Sequence, residues 1–248
     1  MCKLPFTIKI AAVNEPYLIL ENLSKAYGKA PKHQTVLDNV NFTVDRGECV
    51  AVLGHSGCGK STLLDLIAGI DQADQGRVVI NGQNLTSLSE RDRTLLRRRH
   101  IGFIYQSFNL ISTLTAIENI QLPLQLNQFE KATVESRSLE MLQQVGLADK
   151  AASFPDQLSG GEQQRVAIAR ALVHSPSLVL ADEHTGNLDA DTGRQMLRLF
   201  IELAKAQQQT VLMVTHSKVV ANSASRILRF ADGQLLADSS VDETDLAW

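Results

Sequence analysis

The residues whose chemistry is easiest to interpret form a glycine-rich run in the first quarter of the chain. Residues 54–62 read Gly-His-Ser-Gly-Cys-Gly-Lys-Ser-Thr and fit the phosphate-binding pattern G-x-x-x-x-G-K-[ST] without a gap. Glycines permit a tight turn that points several backbone N–H groups inward, where they can bind phosphate oxygens. The predicted phosphate-binding residues are Gly54, His55, Ser56, Gly57, Cys58, Gly59, Lys60, Ser61 and Thr62.

The flanks of this run supply the structural context that the pattern needs. Residues 48–53 predict a buried strand, and residues 62–68 predict a buried helix. The helix N-terminus would add partial positive charge at the phosphates. Lys60 can reach the terminal phosphates, and the Ser61 hydroxyl can ligate Mg²⁺. The alternative is a glycine turn with an incidental lysine, and it does not account for the strand and the helix on either side.

Two further apolar runs end in polar residues that suit a nucleotide site. Residues 178–181 predict a strand followed by Asp182 and Glu183, and residues 210–215 predict another that ends at His216. Open α/β sheets place their ligands at the carboxyl ends of such strands. One carboxylate can hold Mg²⁺ and the next can deprotonate a water, while His216 can contact the γ-phosphate. The alternatives are a turn with two solvated acids and a structural histidine.

Two other positions extend the predicted site. Residues 101–105 predict a strand that ends at Gln106. Tyr27 lies within residues 24–34, which we predict to be a loop, and its ring could stack on a nucleotide base. The alternative for Tyr27 is a half-buried aromatic side chain of that loop.

A second glycine-containing run predicts another anion site. Residues 158–165 read Leu-Ser-Gly-Gly-Glu-Gln-Gln-Arg, and we predict a helix from Glu162 to Val173. Ser159 is a favourable N-cap residue, and the glycines leave the N–H groups of the helix start uncovered. Taken alone, the run also fits an ordinary capped helix.

The rest of the pattern predicts how the chain is organised. The strands before the phosphate loop look antiparallel and hairpin-linked, and residues 107–157 show helical spacing with a break at Pro123. Residues 226–236 predict a final hairpin. The expected divisions are an N-terminal extension (1–16), a nucleotide-binding core with the antiparallel strands (17–106 and 158–236), a helical subdomain (107–157) and a C-terminal tail (237–248).

The composition narrows the possible partners. The chain has 248 residues, of which 44% are hydrophobic and 21% charged, and its net charge is −3. This balance argues against a nucleic-acid partner, so the arginine-rich residues 89–100 are predicted to form a solvated helix face. Three cysteines without a metal-binding spacing predict a reducing compartment. No apolar run approaches the length of a membrane span, so we expect any membrane link to go through another chain.

These residues together resemble the nucleotide-binding subunit of an ABC transporter over about residues 17–236. Their order and spacing match the family's phosphate loop, its glutamine loop at Gln106, its signature at residues 158–165, its acid pair, its Asp189 loop and its switch histidine, His216. The signature is far more specific than the phosphate loop. The resemblance implies an α/β fold of the ABC ATPase type, with a mixed-sheet core, an antiparallel β subdomain and an inserted helical subdomain.

The resemblance also implies a mechanism with two chains. Two copies would face each other head to tail and trap two molecules of ATP with Mg²⁺. In each site, Lys60 and Ser61 would come from one copy, while the other copy would cap the γ-phosphate. The capping residues would be Ser159, Gly160 and Gly161.

Individual roles carry over from the family pattern. Glu183 matches the general base, Asp189 lies at the dimer seam, and Tyr27 matches the aromatic residue that stacks on adenine. Gln106 would sense Mg²⁺ and water and report to a membrane partner through the helical subdomain. The resemblance assigns catalysis to Glu183, His216, Lys60 and Gln106, and Mg²⁺ binding to Ser61, Gln106 and Asp182.

Three stretches are similar to the ATPases of lipoprotein release, macrolide-type export and cell-division complexes. They are residues 97–103, residues 106–110, and residues 182–183 together with 185–189. This similarity implies a homodimer of the ATPase, bound to an integral-membrane permease of the FtsX/MacB type on the cytoplasmic face of the inner membrane.

One residue departs from the family pattern. It is His184, because the family usually has proline after the catalytic glutamate. Histidine frees the backbone there and places a titratable ring beside Glu183.

Two alternatives from other functional classes remain open. A non-transport ABC ATPase, such as an iron–sulfur assembly scaffold, would share the same motifs and would lack a membrane partner. A small-molecule kinase could use the same phosphate loop, but it would have no reason to carry the Ser159 signature.

Overall fold

The computed structural model describes residues 16–28, 34–182 and 190–240, whose strands form two sheets. The strands are β1 (Leu18–Tyr27), β2 (Gln34–Val44), β3 (Cys49–Leu53), β4 (Gln75–Ile80), β5 (Gln83–Asn84), β6 (Ile101–Ile104), β7 (Leu178–Asp182), β8 (Thr210–Thr215), β9 (Arg226–Ala231) and β10 (Gln234–Ser240). The helices are α1 (Lys60–Ile67), α2 (Glu90–His100), α3 (Ala116–Leu126), α4 (Lys131–Gln144), α5 (Gly160–Leu172), α6 (Ala190–Ala206) and α7 (Lys218–Ala221). None of the helices in these ranges is long and apolar enough to span a membrane.

The larger sheet has six strands in the order β10-β9-β3-β8-β7-β6. All neighbours pair in parallel except β10, which is antiparallel to β9. The central strands read as continuous apolar runs because helices or strands cover both faces of a mostly parallel sheet. Along β3, Val50 and Val52 join the hydrophobic cluster that contains α1 and β1, whereas Ala51 joins the cluster that contains α3, α5 and α6.

The smaller sheet is antiparallel, in the order β2-β1-β4-β5. A two-residue turn at Asn81 and Gly82 joins β4 to β5, with φ of 49° and 76°, the left-handed backbone that tight hairpins require. Strand β1 continues to Tyr27, so the prediction of a loop that starts at residue 24 is wrong. Lys25 pairs with Leu37 of β2 despite its polar side chain, because that side chain is buried in an ion pair discussed below.

Helix α3 runs through Pro123, so the predicted break is wrong. Proline removes one intrahelical hydrogen bond, but buried side chains on both sides of it, Ile120 and Leu124, keep the helix on the core. A capping box also stabilises its start: the Thr115 N–H donates to Glu118 Oε2 at 2.8 Å, and Thr115 Oγ1 accepts from the Glu118 N–H at 3.4 Å.

The segment that leads from the end of β6 to α3 is held by a buried amide. Asn119 of α3 is fully buried, and its Oδ1 accepts from the Ile111 N–H at 2.8 Å. Its Nδ2 donates to the carbonyl oxygens of Ile111, Leu114 and Thr115 at 3.0–3.1 Å. Both the oxygen and the nitrogen of this side chain are therefore hydrogen-bonded to the backbone of residues 111–115, just before α3.

A second clamp holds the same segment from α5. Arg170 donates to the carbonyl oxygens of Phe108 at 2.8 Å and Asn109 at 2.5 Å. Both residues have left-handed backbone, with φ of 59° and 48°, a conformation that is uncommon for residues other than glycine. Hydrogen bonds to both α3 and α5 therefore hold the loop that follows β6.

Helix α2 is more than the solvated face that was predicted. Arg93 is buried and donates to Glu90 Oε2 at 2.7 Å. Arg97 donates to the carbonyl oxygens of Gly69 at 2.7 Å and Ala68 at 3.3 Å, just after the last residue of α1. A guanidinium at this position satisfies carbonyl groups that the helix end leaves unpaired. Part of the charge in this run is therefore structural.

The C-terminal strand is longer than predicted. Strand β10 continues to Ser240, whereas the tail was expected to begin at residue 237. Arg226 holds the strand with two hydrogen bonds to Asp238 of 2.6 Å each, and it also reaches Glu48 at 3.3 Å. Because the residues at the end of this strand are polar, the sequence pattern identifies only its first part.

The Asn119 clamp can be tested by removing its amide. We expect Asn119→Ala to lower the free energy of unfolding by about 2–4 kcal/mol, because the Ile111 N–H and the Leu114 carbonyl oxygen lose the hydrogen bonds that this buried amide supplies. Gln125→Ala, at an exposed site on the same helix, should change it by less than about 0.5 kcal/mol. Urea denaturation measures both; equal losses would show that the amide does not hold this segment.

Candidate nucleotide site

Four neighbouring parallel strands end at one edge of the six-stranded sheet. Leu53 at the end of β3 pairs with Thr215 at the end of β8, and Asp182 at the end of β7 pairs with the penultimate residue of β8. Strand β6 pairs with β7 on the far side. The residues that occupy or follow these ends therefore lie along one edge: the phosphate loop from Gly54, His216, Asp182 and Gln106. The structure thus brings together four parts of the site that the sequence predicts separately.

This edge is open to solvent. Exposed residues of the phosphate loop are His55, Ser56 and Gly57, and Ser61 is exposed on the first turn of α1. Gln106 and His216 are exposed as well. A ligand can therefore reach the loop and the strand ends without opening the core.

The phosphate loop depends on two glycines with left-handed backbone. Gly57 has a φ of 79° and Gly59 a φ of 104°. A Cβ atom on Gly59 would lie 2.7 Å from the carbonyl oxygen of Val36 in β2, whereas one on Gly57 would meet no atom within 4 Å. Gly59 is also the N-cap of α1 and has no side chain to cap it. The first N–H groups of α1 can therefore bind an anion.

Lys60 is held inside the curve of this loop. Its side chain is buried, and Nζ donates to the carbonyl oxygens of Gly54 at 2.8 Å and His55 at 2.9 Å. An ammonium group surrounded by a glycine-rich backbone fits a polyphosphate, which needs both N–H donors and positive charge. The donor set therefore suits the triphosphate of a nucleotide.

Cys58 contributes differently from its neighbours. Its side chain is only 3% exposed and packs in the hydrophobic cluster beneath the loop. A Cβ atom on Gly54 would lie 2.8 Å from its sulfur, so the thiol closes the floor of the loop. Any phosphate contact made by Cys58 has to come from its backbone.

Tyr27 lies at the end of β1, and its hydroxyl donates to Asp71 Oδ2 at 2.6 Å. Asp71 follows α1, so this hydrogen bond ties the tyrosine to the helix that begins at the phosphate loop. Burial and, after it, the bond to Asp71 raise the pKa of the Tyr27 hydroxyl, so the ring is neutral at physiological pH.

The signature run forms a capped helix start. Helix α5 begins at Gly160, two residues before the predicted start. Ser159 Oγ accepts from the Glu162 N–H at 3.3 Å and lies 2.9 Å from Glu162 Oε2, to which it can donate. The Ser159 N–H donates to the same carboxylate oxygen at 2.8 Å. The backbone N–H and then the hydroxyl of Ser159 hold the pKa of Glu162 below its ordinary value.

The signature residues face a separate cleft of about 660 Å³. Its lining residues within the described part of the chain are Gly146, Leu147, Asp149, Lys150, Ser159, Gly160, Gly161, Glu162, Arg165, Thr192 and Gln195. None of them belongs to the phosphate loop. The two predicted anion sites of one chain are therefore not brought into one pocket.

Three predicted residues cannot be placed. Glu183, His184 and Asp189 lie outside the described residues. The predicted base, the departure from the family pattern and the predicted seam residue stay predictions.

Two acidic residues near the site were missed at the level of sequence. Asp65 of α1 has its pKa raised by burial and then by the charges of Asp182 and Asp71, which shows that the three carboxylates share one region. Asp71 holds Tyr27. The available signal was weak: one acid in an otherwise apolar helix and another in the turn that follows.

Comparison with known proteins identifies the family. The family model described as ABC transporter matches residues 37–186, more than half of the chain. The chain belongs to the ABC transporter family. It is 47% identical over 232 residues to uncharacterized ABC transporter ATP-binding proteins from two strains of Mycobacterium tuberculosis, which covers 93% of this chain and 94% of each relative. A similarly named protein of Methanocaldococcus jannaschii is 43% identical over 216 residues, or 87% of this chain and 96% of that relative.

Solved ABC cassettes share the fold. A dimeric post-hydrolysis state of the ATP-binding cassette MJ0796, bound to ADP and Pi, matches with a TM-score of 0.84 and 38% identity. A second dimeric structure of MJ0796 matches with the same TM-score and 39% identity, and each match covers 91% of this chain and 99% of the other. These matches confirm the predicted ABC ATPase fold, and this ABC protein is an ATPase subunit, as predicted.

The different surroundings of the two loop glycines give a matched test. We expect Gly57→Ala to lower the free energy of unfolding by about 1 kcal/mol, because left-handed backbone disfavours any Cβ atom. Gly59→Ala should lower the free energy of unfolding by about 3 kcal/mol or more, because the new Cβ atom would both strain the left-handed backbone and collide with the Val36 carbonyl oxygen. Urea denaturation without nucleotide compares them; equal costs would mean that the contact with β2 does not constrain the loop.

Proposed function

We propose that two copies of this ABC protein close head to tail around two molecules of ATP, each with Mg²⁺, and that closure drives a membrane permease. The observation that carries the proposal is the separation of the two anion sites. In one chain, the phosphate loop lies at the sheet edge and the Ser159 cleft is lined by other segments. A nucleotide on the phosphate loop could be covered by the cleft of a second copy. The dimeric form of the similar cassette MJ0796 supports a homodimer.

Each residue at the sheet edge has a role that its position supports. Lys60 and the loop N–H groups would bind the β- and γ-phosphates, and His216 would contact the γ-phosphate. Ser61, Gln106 and Asp182 would hold Mg²⁺, which when bound would neutralise charge on the phosphates.

Hydrolysis would use groups from both copies. Glu183 would act as general base toward a water molecule, and Asp189 would lie at the seam between the copies. Ser159, Gly160 and Gly161 of the second copy would donate to the γ-phosphate, where negative charge accumulates. Catalysis would then consist mainly of positioning and charge stabilisation.

The Ser159 hydroxyl must exchange partners for this contact. A hydroxyl has one hydrogen to donate, and in the single chain Glu162 Oε2 lies 2.9 Å away to receive it. In the closed dimer, the same hydrogen would turn to the γ-phosphate while the Ser159 N–H keeps its bond to Glu162. The carboxylate thus holds Ser159 in place before nucleotide arrives and gives up only one of its bonds.

The helical segment offers apolar surface for a permease. Half of the large hydrophobic side chains that are exposed in the described part of the chain lie between residues 107 and 157: Ile111, Leu126, Leu139 and Phe154, which are 39–51% exposed. Within this segment, the loop after Gln106 is hydrogen-bonded to Asn119 of α3 and also to Arg170 of α5, which belongs to the core. We therefore propose a permease of the FtsX/MacB type as partner, with the ATPase dimer on the cytoplasmic face of the membrane. Its work would be export, lipoprotein release or mechanical transmission.

The composite site can be tested by mixing two inactive variants. Lys60→Ala should disable the phosphate loop, and Gly161→Asp should repel phosphate from the cleft. In a mixed dimer, one site carries both changes and the other carries neither. We expect an equal mixture to recover about a quarter of the parental ATPase rate, because half of the dimers are mixed and each has one intact site. If each chain hydrolysed ATP alone, Gly161→Asp would stay active by itself, and mixing would add nothing to the separate rates of the two variants.

The membrane partner can be tested with a stalled protein. Glu183→Gln should bind ATP without hydrolysing it and remain a closed dimer. Used as bait on solubilised membranes with ATP and Mg²⁺, it should enrich an integral-membrane protein. The matched control, Glu183→Gln combined with Lys60→Ala, should not respond to ATP. An ATP-dependent partner found only in the soluble fraction would contradict the transport role.

A further inference from the structure

The Tyr27 side chain is held by two charged residues that the proposed mechanism does not use. Its hydroxyl donates to Asp71 Oδ2 at 2.6 Å. Lys25 Nζ donates to Asp71 Oδ1 at 2.9 Å and to the carbonyl oxygen of Gln72 at 2.6 Å. The same ammonium lies 4.9 Å from the centroid of the Tyr27 ring, within the range of a cation–π contact. Lys25, Tyr27 and Asp71 therefore form a closed triangle of contacts.

One corner of this triangle is connected to the phosphate loop. The N–H groups of Ile70 and Asp71 donate to the carbonyl oxygen of Asp65 at 2.8 and 3.3 Å. Asp65 lies in α1, which begins at Lys60. The position of Asp71 is thus determined by the helix whose N-terminus belongs to the phosphate loop.

The following residues attach the same segment to β1. Asp74 Oδ2 accepts from the Ala26 N–H at 2.7 Å, and the Asp74 N–H donates to the carbonyl oxygen of Ser24 at 3.0 Å. The chain from Asp71 to Asp74 therefore joins α1, which packs on the six-stranded sheet, to the end of β1 in the four-stranded sheet. The two sheets are connected beside Tyr27.

We propose that Asp71 and Lys25 are positioning residues that hold the Tyr27 ring at a set distance and orientation from the phosphate loop. The inference rests on the proposed stacking of adenine on Tyr27. Lys25 is only 9% exposed and occupies the inner face of the ring, whereas Tyr27 is 44% exposed. The base would therefore stack on the outer face. A ring that is oriented before binding spares part of the entropy cost of ordering it.

The contacts of this triangle stabilise the ionised form of Asp71. Burial opposes ionisation of Asp71, but hydrogen bonds from Tyr27, Lys25 and the Gln72 N–H together hold its pKa below its ordinary value. An ionised carboxylate has acceptor sites for all three donors at once. Asparagine keeps the shape of aspartate but loses the charge and one acceptor oxygen, so Asp71→Asn is the specific change.

The test measures affinity for a ligand with a base and for one without. Binding of Mg²⁺-ATP and of Mg²⁺-tripolyphosphate is measured by calorimetry for Tyr27→Ala, Tyr27→Phe, Asp71→Asn and Lys25→Met. Asp45→Asn, at an exposed turn, makes the same chemical change away from the site. We expect Tyr27→Phe, Asp71→Asn and Lys25→Met each to weaken ATP binding by about threefold to tenfold, the range that one lost hydrogen bond produces. Tripolyphosphate binding should stay unchanged, which also shows that the phosphate loop is folded.

The double variant and the tyrosine truncation separate the two proposals. Tyr27→Phe combined with Asp71→Asn should lose no more than the larger of the two single changes, because both act on the Tyr27–Asp71 hydrogen bond. If Tyr27→Ala leaves ATP affinity unchanged, the stacking itself is wrong. If Tyr27→Ala weakens ATP binding but Asp71→Asn does not, stacking stands and the positioning role is overturned. Equal loss of ATP and tripolyphosphate binding in Asp71→Asn would also overturn it.

Discussion

The structure depends on a parallel sheet that is covered on both faces. Strands β3, β8, β7 and β6 run in the same direction and are buried between the α1 side and the α5 side of the core. Polar side chains cannot be accommodated along such strands without unpaired groups, but they can at the strand ends. Because all four strands end at the same edge, the polar residues that follow them are collected there. The polar residues of the candidate site therefore lie just beyond the buried core, at the carboxyl ends of these strands.

A second constraint is that the site draws on both sheets. Strand β2 touches the phosphate loop through the Val36 carbonyl, so Gly59 cannot accept a side chain. On the other side, Asp71 joins the end of β1 to α1. The loop that would bind phosphates and the ring that would bind the base are thus positioned by different sheets that meet around α1. This geometry explains how Tyr27 and the phosphate loop, which are far apart in the chain, could bind the same nucleotide.

In the single chain, the phosphate loop and the Ser159 cleft are separate. In the proposed dimer, a site assembled from two copies would respond to the approach of the second copy, because each chain alone would supply only part of the donors. Glu162 keeps Ser159 oriented in the single chain. The loop that follows the same sheet edge is hydrogen-bonded to Asn119 of α3 in the helical segment and to Arg170 of α5 in the core. In the proposed mechanism, closure at the nucleotide would be transmitted along these contacts to the apolar surface of the helical segment.

The sequence predicted the parts of the protein that local pattern specifies. Strands β3, β7 and β8 were predictable because buried parallel strands read as apolar runs, and the phosphate loop and signature because their residue types follow from the backbone they require. The predictions failed where distant contacts outweigh local preference. Pro123 does not break α3, because Ile120 and Leu124 keep it on the core. Lys25 and Asp238 lie in polar strand ends, beyond the residues that the pattern predicts to be strands, and ion pairs with Asp71 and Arg226 compensate for their charge there.

The sequence by itself determined the family of this ABC protein, the glycine-rich run that forms the predicted phosphate loop, and the positions of the buried parallel strands along the chain. Only the tertiary structure decided which charges serve the site and which serve the fold. Asp71 and Lys25 are 46 residues apart in the chain, and nothing in either neighbourhood predicts that they meet at Tyr27. The reason is physical: local sequence sets backbone preference and periodicity, whereas the partner of a charge depends on how elements pack across the whole chain.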